Sequence, residues 1–220
     1  MMEHKTEGVL LQTIPYLGAQ KILKVFTPDV GLLSLIVKSP SLSGMTSPFI
    51  QAEWVYRKGK EDLHLLKDAT LLNAFPKFRE DYRTISSAGA IARDLLRSQL
   101  PAKPAHALYA LLLSYWHQLP HFLHPETLVA SFRLKFLLHE GVLSLQPLCT
   151  QCASPARHLL AGESVCLAHA ESNSLFFEEA AWNQLQQLAY ARRFTCLQKI
   201  ELSQATQDQI KFIFEANHSL

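Results

Sequence analysis

The first third of the chain carries the short, alternating apolar pattern that predicts β-strands. Leu33, Leu35 and Val37, for example, alternate with Ser34 and Lys38. Stretches rich in Pro, Gly, Ser and Asp separate such segments and favour turns. The predicted strands are residues 8–14, 20–27, 32–38, 49–57 and 62–66. Five short antiparallel strands suit a small closed barrel, because closure leaves no exposed edge. An OB-fold is the leading five-stranded candidate.

From Asn73 onward the pattern is helical. Ile91, Leu95 and Leu96 recur on one side of a predicted helix at 88–100, and a segment at 105–119 is apolar almost all round. Further helices are predicted at 125–139, 174–191 and 203–217, the last two with Ser174 and Ser203 as N-caps. The predicted fold class is α+β. We expect an OB-fold at 1–80, a helical domain at 81–147 and 172–220, and a zinc-binding loop inserted at 148–171.

Four metal-ligand residue types stand in two tight pairs, Cys149-Thr-Gln-Cys152 and Cys166-Leu-Ala-His169. Each pair fits one tight turn, and two facing turns form a tetrahedral site of the thiolate and imidazole ligands that Zn²⁺ prefers. The alternative is a set of ordinary buried thiols. Four protein ligands would close the coordination sphere, so the predicted Zn²⁺ is structural rather than catalytic.

Composition narrows the classes of protein that fit. Hydrophobic residues make up 48% and charged residues 18%, which is typical of a globular protein. The chain has no apolar run long enough for a membrane span, and its polar start lacks a signal-peptide core, so we expect a cytoplasmic protein. A net charge of +2 means that any nucleic-acid binding depends on local clusters of Lys and Arg. No phosphate-cradling glycine motif is present, so no nucleotide cofactor is expected.

Several stretches, taken in order, resemble the bacterial RecO recombination mediators. They include Glu7-Gly-Val-Leu-Leu-Gln-Thr13, Lys21-Ile-Leu-Lys-Val-Phe-Thr27, Gly59-Lys-Glu-Asp-Leu-His64 and Leu71-Leu-Asn-Ala-Phe-Pro76. The most specific piece is Phe132-Arg-Leu-Lys-Phe-Leu-Leu-His-Glu-Gly141, which leads into the cysteines. The resemblance covers nearly the whole chain.

The resemblance implies an N-terminal OB-fold, a helical domain and a zinc-binding loop. It also implies a protein that binds single- and double-stranded DNA, anneals complementary strands and helps RecA to displace single-strand-binding protein. The implied partners are RecR and the tail of the single-strand-binding protein, and the implied location is the nucleoid. Two features depart from the family pattern. The loop from Lys38 to Ser47 carries one cation where a basic loop is common, and His169 stands where Cys is common.

DNA binding requires cations that meet phosphates and, for single strands, aromatic rings that stack on bases. The candidate stacking residues are Tyr16 and Tyr56. The alternative is that these cations only solvate the surface. The candidate DNA-binding cations are Lys21, Lys24, Lys38, Arg57, Lys58 and Lys60 on the barrel, and Arg93 and Arg97 on the first helix.

Two other functions remain open from the sequence. One is a zinc-stabilised adaptor that binds only proteins. The other is a zinc-dependent deaminase, since His124-Pro-Glu126 precedes the cysteine pair. Deaminases have Pro directly before the first Cys, whereas Leu148 intervenes here, and the same residues suit a helix start. The sequence therefore favours a binding protein without catalytic activity.

Overall fold

A computed structural model describes residues 2–38, 40–59 and 61–217 of the chain, which forms two compact units, Met1–Pro120 and His121–Leu220. The first unit begins with five strands. Their bounds are β1 Glu3–Pro15, β2 Lys21–Thr27, β3 Gly31–Val37, β4 Gln51–Arg57 and β5 Leu63–Asn73. All five predicted strands are therefore present, and helices follow them, which confirms the α+β class.

The five strands close into a barrel in the order β1-β2-β3-β5-β4. The first half of the long strand β1 pairs with β4, and its second half pairs with β2. A short parallel pairing of residues 34–36 with 63–65 joins β3 to β5, while the other pairings are antiparallel. This order is the five-stranded arrangement that an OB-fold requires.

Alternation along the strands produces the barrel core. Leu23, Val25, Leu35 and Trp54 point inward and are almost completely buried. Each such side chain contributes roughly 1.5–3 kcal/mol through burial. The indole Nε1 of Trp54 donates to the Gly8 carbonyl at 2.9 Å, so the largest core side chain is also hydrogen-bonded. A 3-10 helix, Pro40–Thr46, covers one end of the core.

Four predicted boundaries were wrong. Strand β1 starts at Glu3 because its polar first residues pair with β4, and β5 continues to Asn73 because its residues 65–73 pair with β4. The first helix starts at Tyr82, since Asp81 caps it by accepting from the Thr84 amide at 2.8 Å. Ser174 caps no helix; a two-residue strand follows it, and the helix begins at Glu179.

Helices α1, Tyr82–Ser98, and α2, His106–Gln118, complete the first unit. An aromatic cluster of four rings, Phe49, Phe75, Phe78 and Trp116, lies beside them. Trp116 of α2 sits at its centre, with edge-on contacts to Phe49, Phe75 and Phe78 at centroid distances of 5.5, 5.5 and 5.6 Å. Because three of these rings come from chain segments outside the helix, the cluster holds α2 to the rest of the unit.

The second unit contains three helices and a small sheet. Helix α3, Pro125–His139, has the predicted bounds, and Ser203 caps the last helix by accepting from the Thr206 amide, as predicted. The elements are α3, β6 His158–Leu160, β7 Glu163–Val165, β8 Leu175–Phe176, α4 Glu179–Tyr190 and α5 Gln204–Ala216, with the strands in the order β7-β6-β8. Among the helices that the structure describes, none is both long enough and apolar enough to cross a membrane.

Side chains one turn apart on α3 tie this helix to its neighbours. The hydroxyls of Thr127 and Ser131 donate to the carbonyls of Ile200 and Leu188, at 2.9 and 2.7 Å. Lys135 donates to the carbonyl of Ala191 at the end of α4, where a cation also offsets the helix dipole. These three polar side chains of α3 therefore hold the helix to its neighbours in the second unit.

Gly31, the first residue of β3, cannot be replaced without strain. Its φ is +63°, and an added Cβ would lie 2.4 Å from the Lys103 carbonyl oxygen. We expect Gly31→Ala to lower the free energy of unfolding of the first unit by more than ~3 kcal/mol. Gly18 is the matched control, since its φ is +61° and an added Cβ meets nothing within 4 Å. Gly18→Ala should cost only ~1 kcal/mol, and equal losses in urea denaturation would contradict this account.

Candidate metal centre and nucleic-acid interface

The structure brings the four predicted metal ligands together. The sulfur and nitrogen atoms of Cys149, Cys152, Cys166 and His169 all lie within 4.8 Å of one another. His169 Nδ1 is 3.5 Å from Cys149 Sγ and 3.4 Å from Cys166 Sγ. The Cys152 and Cys166 sulfurs are 3.6 Å apart. These four residues form a group able to hold a metal ion.

Two tight turns position the ligands. In the first turn the Ala153 amide donates to the Cys149 carbonyl at 3.0 Å, with Ala153 at a φ of +59°. In the second, the 3-10 helix Leu167–His169 begins directly after Cys166, and the His169 amide donates to the Cys166 carbonyl at 3.1 Å. A hydrogen bond from the Thr150 amide to the Ser164 carbonyl, at 3.0 Å, joins the first turn to β7, the strand that leads into Cys166. The ligands are thus held by local backbone structure.

The environment of the thiols favours a thiolate. Burial by itself opposes ionisation of Cys149, but hydrogen bonds from neighbouring backbone amides and from His169 outweigh it and lower its pKa to about 6. Hydrogen bonds from Ser154 lower the pKa of Cys152. Burial raises the pKa of Cys166, whereas the hydrogen bond with Cys149 raises that of His169. At neutral pH at least one sulfur can therefore bind a cation without first losing a proton.

The spacing of the group fits a tetrahedral ion. A Zn²⁺ ion with Zn–S bonds of about 2.3 Å and a Zn–N bond of about 2.0 Å requires ligand atoms roughly 3.5–3.8 Å apart. Three of the separations, 3.4, 3.5 and 3.6 Å, lie at or close to this range, and all of them are within 4.8 Å. His124 belongs to no part of the group; it precedes α3 and lies 3.5 Å from Glu126.

The predicted DNA-binding cations of the barrel do not form one cluster. Lys21 lies opposite Val37 in the β2–β3 register, so Lys21 and Lys38 share one end of the barrel. Arg57 lies opposite Glu3, at the other end of β1. In the other direction around the barrel, Arg57 pairs with Leu65, Leu65 with Ile36 and Ile36 with Ile22, so three strand spacings, roughly 14 Å, lie between Arg57 and the Lys21 end of β2. Lys24 follows Lys21 on β2, between the inward-facing Leu23 and Val25.

The local partners of these cations differ. Lys21 donates to the Thr46 hydroxyl at 2.9 Å, and Lys24 donates to the Ser34 hydroxyl at 2.8 Å, so both ammonium groups keep further donors. Lys38 and Lys58 are exposed. Arg57 binds Glu3 through Nε at 3.1 Å and Nη2 at 2.9 Å, which offsets its charge. Lys60 lies outside the described residues.

Tyr56 is not available for base stacking. It is only 4% exposed, and its ring is stacked between His4 and His64 at centroid distances of 5.6 and 5.4 Å. Tyr16, by contrast, is exposed in the turn after β1. The alternation that identified Tyr56 as a strand residue also places it on the inward side with Trp54, a signal that points to the core.

On α1, Arg93 and Arg97 are both exposed and lie one turn apart, as their spacing predicts. On α3, Arg133 and Lys135 have structural partners: the Arg133 guanidinium lies 5.8 Å from the centre of the Phe214 ring, and Lys135 binds the end of α4. The sequence alone could not distinguish the exposed arginines of α1 from the partnered cations of α3, because both helices carry basic residues among apolar ones.

A closed five-stranded barrel joined to a helical unit with a Cys₃His group defines an OB-fold protein with a segment able to hold a metal ion. Residues 1–75 match the family model described as "Recombination protein O N terminal". The chain is 28% identical over 222 residues to "DNA repair protein RecO" of Chlamydia pneumoniae, covering 95% of this chain and 86% of the relative. It is 27% identical to the protein of that name from Chlamydia trachomatis serovar D, covering 88% and 83%. A third, from Exiguobacterium sibiricum, is 26% identical, covering 70% and 63%. Over most of its length the chain is therefore similar to proteins named DNA repair protein RecO.

Proposed function

We propose that this protein is a DNA repair and recombination mediator that binds single- and double-stranded DNA and anneals complementary strands. The observation that carries the proposal is the similarity, over 95% of the chain, to a protein named for DNA repair. We further propose that it assists RecA loading together with RecR, contacts single-strand-binding protein, and acts in the cytoplasm at the nucleoid.

The mechanism that we propose is charge neutralisation. Lys21, Lys24 and Lys38 lie on the adjacent strands β2 and β3, or directly after them, and so form the most coherent group of cations on the barrel. Arg57, Lys58 and Lys60 are proposed as secondary contacts, and Arg93 and Arg97 as contacts from α1. Bound cations displace the counterions of DNA and lower the repulsion between two strands, which promotes their annealing.

Zn²⁺ is the metal that we propose for the Cys₃His group. Three sulfurs and one imidazole nitrogen are the ligands of structural zinc sites, and four protein ligands leave no position for a reacting water. The ion would hold the two turns together, because a segment of this size cannot bury enough apolar surface to fold by itself. A closed centre without His124 does not suit a deaminase, so we propose that the protein is not an enzyme.

A second candidate function is an adaptor that binds only proteins. The net charge of +2, the single cation at Lys38 in the loop to Ser47, and the pairing of Arg57 with Glu3 favour it. Annealing of complementary oligonucleotides by the metal-loaded protein separates the two functions. Salt-sensitive acceleration supports the mediator, whereas no acceleration and no binding at low salt supports the adaptor.

Replacing Lys21 and Lys24 together with Gln should weaken binding of single-stranded DNA. Two lost phosphate contacts reduce the slope of log affinity against log salt by about 1.4, while Gln keeps a hydrogen-bond donor for Thr46 and Ser34. Fluorescence anisotropy at several salt concentrations measures the slope. The control, Lys199→Gln with Lys211→Gln, removes the same charge from exposed positions of the second unit and should leave the slope unchanged. An unchanged slope in the Lys21/Lys24 variant would place the DNA elsewhere.

A further inference from the structure

The three sulfurs of the Cys₃His group differ in their exposure to solvent. Cys149 and Cys166 are only 4% and 7% exposed. Cys152, by contrast, is exposed, and so are all its neighbours from Thr150 to Pro155. A metal-bound cysteine is a thiolate, which is also the form that reacts with oxidants, so access decides which sulfur reacts first. A small oxidant in solution therefore meets Cys152 before the other two cysteines.

The exposed sulfur has a second sulfur beside it. Cys152 Sγ lies 3.6 Å from Cys166 Sγ. A disulfide bond is about 2.0 Å long, so the two atoms need to approach each other by roughly 1.6 Å. The third sulfur, that of Cys149, is engaged by the Gln151 amide and by His169 Nδ1, each at 3.5 Å. Cys166 is therefore the sulfur placed to react with an oxidised Cys152.

Backbone hydrogen bonds keep the two reacting sulfurs adjacent. The Thr150 amide donates to the Ser164 carbonyl at 3.0 Å, which ties the first turn to the strand before Cys166. The Cys149 amide donates to the Ser154 carbonyl at 2.7 Å and closes the first turn around Cys152. Because these bonds join backbone groups, they do not depend on the oxidation state of any sulfur. A nearby second cysteine directs an oxidised first one toward a disulfide rather than toward irreversible oxidation.

We propose that Cys152 is a site of oxidation by hydroperoxides and that Cys166 is its resolving cysteine. The Cys152 sulfur attacks the peroxide, the O–O bond breaks, and a sulfenic acid forms as hydroxide leaves. The Cys166 sulfur then attacks the Cys152 sulfur, the S–O bond breaks, and a disulfide forms as a second hydroxide leaves. The two sulfurs lose one electron each, the peroxide gains both, and two protons from solvent convert the hydroxides to water.

Oxidation of this pair removes two of the four ligands of the metal. Cys149 and His169 remain, which is fewer than the four ligands that a structural zinc site requires, so the ion is released. A dithiol reductant opens the disulfide by thiol exchange and restores the full ligand set. This inference rests on the zinc that we propose for the group, and it makes the bound metal sensitive to peroxide in a reversible way.

Metal release and disulfide mapping together test the inference. The zinc-loaded chain is treated with hydrogen peroxide, a chromogenic chelator follows the released metal, and peptide mass spectrometry maps the disulfides. We expect release of the bound zinc together with a Cys152–Cys166 disulfide, and dithiothreitol with added zinc should reverse both changes. Cys152→His removes the exposed sulfur but supplies a nitrogen that zinc accepts, so its release should be at least about tenfold slower. Cys196→Ser, which removes the exposed cysteine outside the group, is the matched control and should release zinc as the native chain does.

The outcomes separate this inference from the proposed function. Retention of zinc by the peroxide-treated native chain, or a disulfide that joins Cys149 to Cys152, would overturn it. Release from Cys152→His as fast as from the native chain would do the same. If the untreated native chain holds no zinc, the proposed metal fails, and the disulfide map of the metal-free chain decides the cysteine pair. The same map decides it if Cys152→His does not hold the metal. None of these results bears on DNA binding, which the salt series with the Lys21/Lys24 variant tests.

Discussion

Cys149→Ser is expected to abolish stoichiometric zinc binding and to destabilise the second unit. Cys149 is a buried member of the Cys₃His group, and its Sγ also accepts a hydrogen bond from the Gln151 amide. Its replacement should therefore remove both a proposed metal ligand and a hydrogen bond of the first turn. A metal present at about 1,000 times its Kd contributes a stabilisation that, for a chain of this size, corresponds to roughly 8–16 °C in Tm. Chelation of the native chain should produce a similar loss. Metal analysis and thermal melting measure the two effects.

Cys196 supplies the matched control for this experiment. It is an exposed free cysteine outside the group, so Cys196→Ser should keep both the metal and the Tm. His169→Cys should also keep the metal, because zinc accepts either ligand, whereas His169→Ala should lose it. Full zinc content in Cys149→Ser would overturn the four-ligand assignment, and an unchanged Tm after metal loss would show that the ion has no structural role.

Trp116→Ala should cost the first unit ~3–5 kcal/mol of its free energy of unfolding, the range for truncating a fully buried large aromatic side chain. Trp116 is 0% exposed, and the other three rings of the aromatic cluster contact it edge-on. Removing it leaves a cavity between α2 and two chain segments, the one before β4 that carries Phe49 and the one after β5 that carries Phe75 and Phe78. Urea denaturation followed by circular dichroism measures the loss.

Trp116→Phe is expected to be much milder than Trp116→Ala. Phenylalanine keeps an aromatic ring in the cluster, and the buried indole Nε1 has no hydrogen-bond partner among the described residues, so its removal relieves an unsatisfied donor. Tyr82→Ala, at an exposed position of α1, should change stability by less than ~0.5 kcal/mol. If Trp116→Ala and Trp116→Phe lower the free energy of unfolding equally, the contacts of the phenyl ring contribute nothing to stability.

The metal group was predictable from the sequence because its information is local. Cys149 and Cys152 lie within one turn of the backbone, and Cys166 and His169 within another. The spacing within each pair therefore nearly determines the relative positions of its two side chains. Helix α3 was predictable for the same reason, since Pro125 begins it and Gly141 lies just beyond its last residue, His139. Patterns formed by residues close together in the chain can be recognised without knowledge of the fold.

The arrangement of the barrel cations could not be predicted in the same way. Lys21 and Arg57 lie far apart in the chain, and only the registers of β2 with β3, β3 with β5 and β5 with β4 show that three strand spacings separate them. Tyr56 looks like an exposed aromatic beside basic residues until the pairing places its ring between His4 and His64. On α3, Lys135 looks like a surface cation until α4 brings the Ala191 carbonyl to it.

The sequence by itself determined the order and type of the main elements and the two residue pairs of the Cys₃His group, because alternation, helical period and tight-turn spacing are all properties of the linear chain. The tertiary structure decided which polar residues serve the fold and which face solvent. It paired β3 with β5 in parallel, extended β1 and β5, and separated the two groups of barrel cations. The physical reason is that strand register and helix packing depend on contacts between residues far apart in the chain, which no local pattern encodes.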